Sequence, residues 1–302
     1  MSYALLFSGQ GTQHAAMMPW LAEDEHVAGM RARLGVNDWR RSLEDPAWAA
    51  RNANAQTLLT GLALAAWAQL APMVPSPAAV AGYSVGELAA FSTAGAFDSS
   101  TATALAPLRA AAMDRSAARE PGGLLAINGL AESALEKVRA DTGLALAIRN
   151  GSESVVLGGP MAALEQAQRV ATSAGGQCTR LNIHVASHTP WMREAAERFA
   201  RTLADLPFQA PCILLFSNAG DRIRDARAAR AALAAQIAQT VRWDECMEHI
   251  AARQVRCVLE IGPGQALTRM WNQRYPAIPA RACDDFRSVA AIASWLRAHS
   301  DD

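Results

Sequence analysis

The sequence predicts an α/β fold in which a large domain with a parallel sheet carries an inserted small subdomain. Short apolar runs alternate with segments of helical spacing along most of the chain, a pattern typical of α/β proteins. The first apolar run, 3–7, breaks into a glycine-rich loop, where such proteins place their sites. The segment 123–188 repeats the alternation on a smaller scale. We therefore divide the chain into a large domain, residues 1–122 and 189–302, and a subdomain, residues 123–188.

The large domain opens on a strand-like run, Tyr3–Phe7, followed by the loop Ser8-Gly9-Gln10-Gly11-Thr12-Gln13. Apolar residues then recur at helical spacing until Pro72 ends the pattern, and a second strand-like run leads into two more helical segments. The predicted elements after the loop are a helix at 57–71, a strand at 78–82 and helices at 86–94 and 102–118.

The subdomain has the order strand, helix, strand, strand, helix, strand, which is the ferredoxin-like arrangement. That order fits one compact unit inserted into a larger α/β domain. Its predicted strands are 124–130, 144–150, 154–158 and 179–185, and its predicted helices are 132–142 and 161–174.

After His188 the helical pattern returns and alternates with two further strands, which complete the large domain. The predicted helices are 190–203, 227–239 and 244–253, the predicted strands are 213–217 and 255–261, and two helices follow at the C-terminal end.

The composition excludes several classes of function. The chain has 302 residues, and its 28 basic side chains are balanced by 28 acidic ones, so no net charge attracts nucleic acid or an anionic membrane. No segment approaches the ~18 apolar residues that a membrane-spanning helix needs, and the first residues form no basic leader. The five cysteines are odd in number and form no C-x-x-C pair, so we expect a reducing, cytoplasmic location.

The segment Gly82-Tyr83-Ser84-Val85-Gly86 has the G-x-S-x-G pattern of a nucleophile elbow and lies between a predicted strand and a predicted helix. The pattern alone also occurs by chance, and it is the flanking elements that favour the elbow. A sharp strand-to-helix turn strains the serine backbone, and flanking glycines let the two elements pass closely. Ser84 is therefore the predicted nucleophile of an α/β-hydrolase-like domain.

A serine nucleophile needs a base, and the chain has six histidines. His184 and His188 are four residues apart, but no H-E-x-x-H glutamate accompanies them, so we predict no metal site. His188 follows a strand-like run, where a side chain can point across a cleft. The residues alone make His188 the best of several candidates, the others being His14, His26, His184, His249 and His299.

Several motifs, in order and at characteristic separations, resemble those of malonyl-CoA:acyl carrier protein transacylases over essentially the whole chain. The glycine-rich loop with its preceding Phe7 and the elbow with Glu87 are two of these motifs. The other matching residues are Gln56, Arg109, Asn150, Val185-Ala186-Ser187-His188, Ser217-Asn218, Gln236 and Glu260-Ile261-Gly262-Pro263-Gly264.

The resemblance implies catalytic roles for five of these positions. Ser84 matches the serine that becomes acylated, and His188 matches its base. Gln236 matches the residue whose main-chain carbonyl holds the imidazole. The backbone N–H groups of Gln10 and Val85 match the oxyanion hole.

The resemblance also implies the substrate and the partner. Arg109 matches the arginine that binds the free carboxylate of malonate, a task for which a planar guanidinium is suited. Gln56 and Asn150 match residues that form hydrogen bonds near the pocket. The expected donor is malonyl-CoA, the expected acceptor is an acyl carrier protein, and no tightly bound cofactor is expected.

Tyr83 departs from the usual pattern, because most members of this family have histidine before the nucleophile. In this respect the chain most resembles the malonyl-transferring epsilon subunit of bacterial malonate decarboxylase, which loads a carrier subunit bearing a phosphoribosyl-dephospho-coenzyme A arm. The alternative is a housekeeping transacylase of fatty-acid synthesis. The small Ser187 beside the base leaves methylmalonyl open as a second acyl group.

Two rival functions come from other classes. A serine hydrolase or thioesterase would use an acidic residue and a late histidine, for which Asp221 and His249 are the candidates. A non-catalytic scaffold within a larger complex is the other rival, and an intact set of Ser84, His188 and Arg109 argues against it.

Overall fold

The computed structural model describes residues 2–300, which form two sheets flanked by helices. The strands are β1 Tyr3–Phe7, β2 Ala79–Gly82, β3 Gly122–Asn128, β4 Ala145–Gly151, β5 Ser154–Pro160, β6 Gln177–Arg180, β7 Leu214–Phe216, β8 Arg222–Ile223, β9 Val241–Arg242, β10 Cys257–Ile261 and β11 Ala280–Ala282. The helices are α1 Glu25–Leu34, α2 Trp39–Ser42, α3 Pro46–Ala50, α4 Asn52–Leu70, α5 Gly86–Thr93, α6 Ser99–Arg119, α7 Glu132–Thr142, α8 Met161–Ser173, α9 Arg193–Ala204, α10 Ala226–Ala235, α11 Trp243–Ala251, α12 Ala266–Arg274 and α13 Val289–Ser300. Within these described residues, no helix is both long enough and apolar enough to cross a membrane.

The larger sheet has six strands in the order β11-β10-β1-β2-β7-β8, parallel except for the antiparallel pair of β7 and β8. Its strand β1 is buried throughout and apolar, as expected for a parallel strand covered on both faces. Leu5 and Phe7 pack into one hydrophobic cluster and Ala4 and Leu6 into another, so helices cover both faces. The parallel sheet predicted from the sequence is present.

The smaller sheet has five strands in the order β6-β3-β5-β4-β9. The elements from β3 to β6 follow the predicted strand and helix order, and the helices α7 and α8 cover one face. The opposite face contributes Leu124, Ile148 and Val156 to a cluster shared with the larger sheet. The two sheets therefore meet through a common apolar core.

Three features differ from the sequence-based expectation. The strand predicted over 179–185 is β6, which ends at Arg180; the chain then leaves the sheet, and His188 reaches Ser84. Strand β9 pairs in parallel with β4 through Ile148 and Val241, so residues outside 123–188 extend the smaller sheet. The three helices α1, α2 and α3 were not predicted.

The loop 8–13 and the G-x-S-x-G turn lie side by side, because they follow the carboxyl ends of the parallel neighbours β1 and β2. Gly82 and Gly86 let the turn close tightly, because a Cβ on Gly82 would lie 2.2 Å from the carbonyl of Gly86. A Cβ on Gly86 would lie 2.3 Å from the carbonyl oxygen of Phe7. The turn thus packs directly against the end of β1.

This packing predicts that Gly82→Ala lowers the free energy of unfolding by about 2–4 kcal/mol, because backbone atoms rather than a flexible side chain must move. The matched control is Gly29→Ala in α1, where a Cβ meets no atom within 4 Å. The control should stabilise the protein by about 0.5–1 kcal/mol. Urea denaturation measures both, and a Gly82→Ala variant as stable as the parent would contradict the packing described.

Candidate active site

Ser84 lies in the turn between β2 and α5 with a left-handed backbone, φ 56°. This conformation is costly for a residue other than glycine and persists only where its surroundings impose it. The N–H of Tyr83 donates to Phe7 O at 2.9 Å, and the N–H of Gly86 donates to Tyr83 O at 3.0 Å. The hydroxyl of Ser84 is thereby presented at the N-terminus of α5.

His188 reaches Ser84 from the segment that follows strand β6 of the smaller sheet. Its Nε2 lies 2.8 Å from Ser84 Oγ, and its Nδ1 lies 2.6 Å from the carbonyl oxygen of Gln236. Because a carbonyl only accepts, Nδ1 must carry the proton, and the Nε2 lone pair is left to accept the proton of Ser84. His188 also has a left-handed backbone, φ 62°, and its own N–H donates to Ile237 O at 2.8 Å.

Burial and, to a smaller extent, the nearby cation of Arg109 lower the pKa of His188 to about 3, against the opposing effect of the hydrogen bond to Gln236. The imidazole is therefore neutral at physiological pH and available as a base. Its orienting partner is a neutral carbonyl, whereas a triad would place a carboxylate there.

Arg109 is a buried cation on α6, with 1% of its surface exposed. Its Nη1 donates to Gln56 Oε1 at 2.8 Å, and its Nη2 lies 3.3 Å from the side-chain oxygen of Gln236. Burial lowers the pKa of Arg109 to about 10, while the Coulombic effect of Glu87 raises it, so the guanidinium stays charged. Among residues 2–300, no carboxylate lies within 4 Å of it and its Nε–H has no acceptor.

Glu87 follows the elbow on α5 and is fully buried. Burial raises its pKa to about 8, against hydrogen bonds from Asn218 and Ser217 and the charge of Arg109. The N–H of Asn218 donates to Glu87 Oε1 at 2.5 Å. Because Glu87 is largely protonated near neutral pH, it leaves the charge of Arg109 mostly uncompensated.

A cavity of about 290 Å³ joins these groups. Its wall includes the predicted residues Gln10, Gln56, Ser84, Val85, Arg109, Asn150 and His188. Gln236 lies behind the imidazole and is buried. The structure thus brings together all eight residues singled out from the sequence.

Some backbone N–H groups of the elbow donate hydrogen bonds within the protein, and one does not. Those of Ser84 and Gly86 are engaged, with Asn218 Oδ1 at 2.7 Å and Tyr83 O at 3.0 Å. In the part of the chain that the structure describes, the Val85 N–H has no such acceptor. It is therefore available to a group bound at Ser84.

The catalytic pair that a hydrolase would use, Asp221 and His249, does not form near Ser84. His249 packs against the ring of Phe216, with 5.5 Å between ring centroids, and Asp221 is exposed. Neither lines the cavity of Ser84. His184 is exposed, and residues 2–300 contain no cluster of three or more His, Cys, Asp or Glu side chains able to hold a metal ion.

Sequence reasoning assigned no role to three buried polar residues near the cavity. Glu87 and Asn218 support the elbow, and Glu260 accepts from Ser8 Oγ at 2.9 Å and from the N–H of Thr268 at 2.7 Å at the start of α12. Burial raises the pKa of Glu260. All three residues belong to the motifs that carry the family resemblance. Their roles were not predicted, because Glu87, Asn218 and Glu260 contact residues far away in the sequence.

Comparison with known proteins gives one consistent result. Residues 44–301 match the family described as the acyl transferase domain. The chain is 33% identical over 291 residues to the malonyl CoA-acyl carrier protein transacylase of Mycobacterium tuberculosis strain H37Rv, covering 92% of this chain and 95% of that protein. It is 30% identical over 313 residues to the protein of the same name from Escherichia coli K12, covering 96% and 98%.

Two solved structures are similar to this chain over nearly its whole length. An acyl carrier protein S-malonyltransferase from Vibrio cholerae superposes with a TM-score of 0.88 at 30% identity, covering 97% of this chain and 100% of that one. A malonyl-transacylase in complex with its type II PKS acyl-carrier protein superposes with a TM-score of 0.90 at 27% identity, covering 97% and 99%.

The lowered pKa of His188 predicts a pH-dependent loss of stability. In the unfolded chain His188 has its ordinary pKa of 6.5, whereas in the folded chain its pKa is about 3. Between these two pKa values the unfolded chain binds more protons than the folded chain, so the free energy of unfolding decreases as the pH falls below 6.5. At pH 5 the decrease due to His188 is about 2 kcal/mol. Urea denaturation of the parent and of His188→Gln at pH 7.5 and pH 5 measures it, and equal pH dependence in the two proteins would show that the shift is absent.

Proposed function

Because the chain belongs to the acyl transferase domain family, we propose that it moves a malonyl group from malonyl-CoA to the thiol of an acyl carrier protein through a malonyl-Ser84 intermediate. The relatives are named as malonyl transacylases of coenzyme A and carrier protein, which supports the donor and the class of acceptor. The elbow is of the α/β-hydrolase-like type, and we interpret the smaller domain as ferredoxin-like.

The observation that carries this proposal is Arg109. A buried guanidinium with no carboxylate partner among the described residues, on the wall of the cavity that holds Ser84, fits an acyl group with a free carboxylate. Its Nη1 is occupied by Gln56 Oε1 and by Met113 Sδ. The Nε–H and one N–H of Nη2 remain for the malonyl carboxylate, which can accept two parallel hydrogen bonds.

The first half-reaction acylates the serine. His188 Nε2 takes the proton of Ser84 as Oγ attacks the thioester carbonyl. The tetrahedral oxygen receives hydrogen bonds from the N–H groups of Val85 and Gln10. The intermediate collapses, the protonated imidazole gives its proton to the coenzyme A thiolate, and malonyl-Ser84 remains with its carboxylate on Arg109.

The second half-reaction reverses these steps with a new thiol. The carrier thiol enters the same cavity, His188 accepts its proton, and the thiolate attacks the malonyl ester. The neutral Gln236 carbonyl stabilises the imidazolium less than a carboxylate would. A weaker base favours an acidic thiol over water as the attacking group, which is consistent with transfer rather than hydrolysis.

For the acceptor, we propose the carrier subunit of malonate decarboxylase, on the resemblance of Gly82-Tyr83-Ser84-Val85-Gly86-Glu87 to that branch. Tyr83 OH donates to Asn150 Oδ1 at 3.1 Å, and its ring lies edge-on to Trp243, with 5.2 Å between ring centroids. Tyr83 therefore joins the elbow to the smaller domain at the cavity wall. A housekeeping acyl carrier protein of fatty-acid synthesis is the alternative, and it agrees equally with the names of the relatives.

We also propose a cytoplasmic location. All five cysteines are free in the structure, as expected for a reducing compartment.

The role of Arg109 predicts that Arg109→Gln slows acylation of Ser84 by malonyl-CoA about 100-fold, because the malonyl carboxylate loses its buried cation. Acylation by acetyl-CoA, which has no carboxylate, should change far less. Arg115→Gln, an exposed position on the same helix, is the control and should match the parent. Intact-protein mass spectrometry of timed single-turnover reactions gives both rates, and an equal decrease for the two donors would remove Arg109 from the selection of malonyl.

The acceptor proposal predicts faster malonyl transfer to the malonate decarboxylase carrier subunit than to a pantetheine-bearing acyl carrier protein. Both carriers are supplied at equal concentration with the same malonyl-CoA, and the loaded carrier is measured by mass spectrometry. Ser84→Ala provides the background of uncatalysed transfer. Loading of the pantetheine carrier alone would assign the chain to fatty-acid synthesis instead.

A further inference from the structure

We propose that Asn218 is a positioning residue that holds the strained backbone of Ser84 and decides which N–H groups of the elbow face the substrate. The proposal rests on the function proposed above and extends it to a residue outside the catalytic set. Asn218 is fully buried, two residues past the end of β7, the strand that pairs with β2.

The side chain of Asn218 spans the elbow. Its Oδ1 accepts from the N–H of Ser84 at 2.7 Å, and its Nδ2 donates to the carbonyl oxygen of Gly82 at 2.7 Å. These two backbone groups lie on either side of Tyr83. The amide therefore extends the pairing of β7 with β2 past the end of the strands, where the chain turns too sharply for backbone pairing.

The orientation of this amide is fixed by what it meets. Exchanging its oxygen and nitrogen would oppose two donors at Ser84 and two acceptors at Gly82, so only one orientation satisfies both. By engaging the N–H of Ser84, Asn218 leaves the neighbouring N–H of Val85 as the free donor. The left-handed φ of 56° at Ser84 needs such external restraint.

The backbone of Asn218 is itself held from two sides. Its N–H donates to Glu87 Oε1 at 2.5 Å, and its carbonyl accepts from the N–H of Arg242 at 3.1 Å. Glu87 lies on α5, directly after the elbow. Asn218 therefore contacts β2, before Ser84, through its side chain. It contacts α5, after Ser84, through its backbone N–H and Glu87.

The test uses Asn218→Asp, whose carboxyl keeps an acceptor for Ser84 N–H but has a donor for Gly82 O only when protonated. We expect the rate of Ser84 acylation by malonyl-CoA at pH 8 to fall about 10- to 100-fold and to recover as the pH is lowered to 5.5. The base has a pKa of about 3 and does not titrate in this range, whereas Glu87, with a pKa of about 8, titrates in both proteins, so the recovery is measured as the ratio of the variant rate to the parent rate at each pH. Glu87, Arg109 and Cys246 are the titratable groups around this side chain, and they are common to both proteins.

The matched control is Asn272→Asp. Asn272 makes the same kind of two-point amide bridge, with Nδ2 to Ala280 O at 3.0 Å and Oδ1 from Ala280 N at 2.9 Å, away from the cavity. It should keep the parental acylation rate and pH profile. A control variant as slow as Asn218→Asp, or an Asn218→Asp profile parallel to the parent, would overturn the proposal.

A second pair of variants applies if Asn218→Asp does not fold. Glu87→Gln keeps an acceptor for the N–H of Asn218, whereas Glu87→Ala removes it. We expect Glu87→Gln to stay within about threefold of the parent and Glu87→Ala to fall about tenfold or more in acylation rate, with unchanged KM for malonyl-CoA. Equal rates in the two variants would refute the anchoring role. Failure of the parent to acquire a malonyl adduct would instead reject the proposed function.

Discussion

The hydrogen bond between Ser84 Oγ and His188 Nε2 is the contact on which the rest of the site depends. It joins residues 104 positions apart at 2.8 Å, and both residues have left-handed backbones. Neither conformation is favourable for a residue with a Cβ, so each needs support from its surroundings. Gly82, Gly86 and Asn218 supply it at the serine, and Ile237 and Gln236 supply it at the histidine. Much of the polar network near the cavity serves to place one hydroxyl against one ring nitrogen.

The electrostatics of the site follow from burial. His188 is neutral, Glu87 is largely protonated, and the partner of the imidazole is a carbonyl, so none of these three groups neutralises the charge of Arg109. Gln236 contacts both sides of this arrangement, holding the imidazole with its main-chain oxygen and the guanidinium with its side chain. A substrate carboxylate would therefore change the field at the base when it binds. In the proposed reaction, recognition of the acyl carboxylate by Arg109 and the basicity of His188 are coupled through Gln236.

Much of this site could be predicted from the sequence, because its motifs are local. The G-x-S-x-G turn, the glycine-rich loop and the helix carrying Arg109 are each contiguous, and each has the predicted type of element around it. The contacts of Asn218 could not be predicted in this way, since its partner Ser84 is 134 positions away and the Ser217-Asn218 motif does not indicate which residue it contacts. The left-handed backbone of His188 was equally hidden, because nothing in a non-glycine residue signals it. Strand β9 has only two residues, too few for an alternating pattern.

That short strand has a consequence for any attempt to exchange the smaller domain between related enzymes. Because Val241 and Arg242 complete the sheet built mainly from 123–188, the predicted smaller domain, four connections of the chain rather than two join this sheet to the rest of the protein. A graft of residues 123–188 alone would leave the edge of β4 paired with residues 241–242 of the recipient protein. An exchange of this sheet between related proteins therefore has to include residues 241–242 as a separate segment.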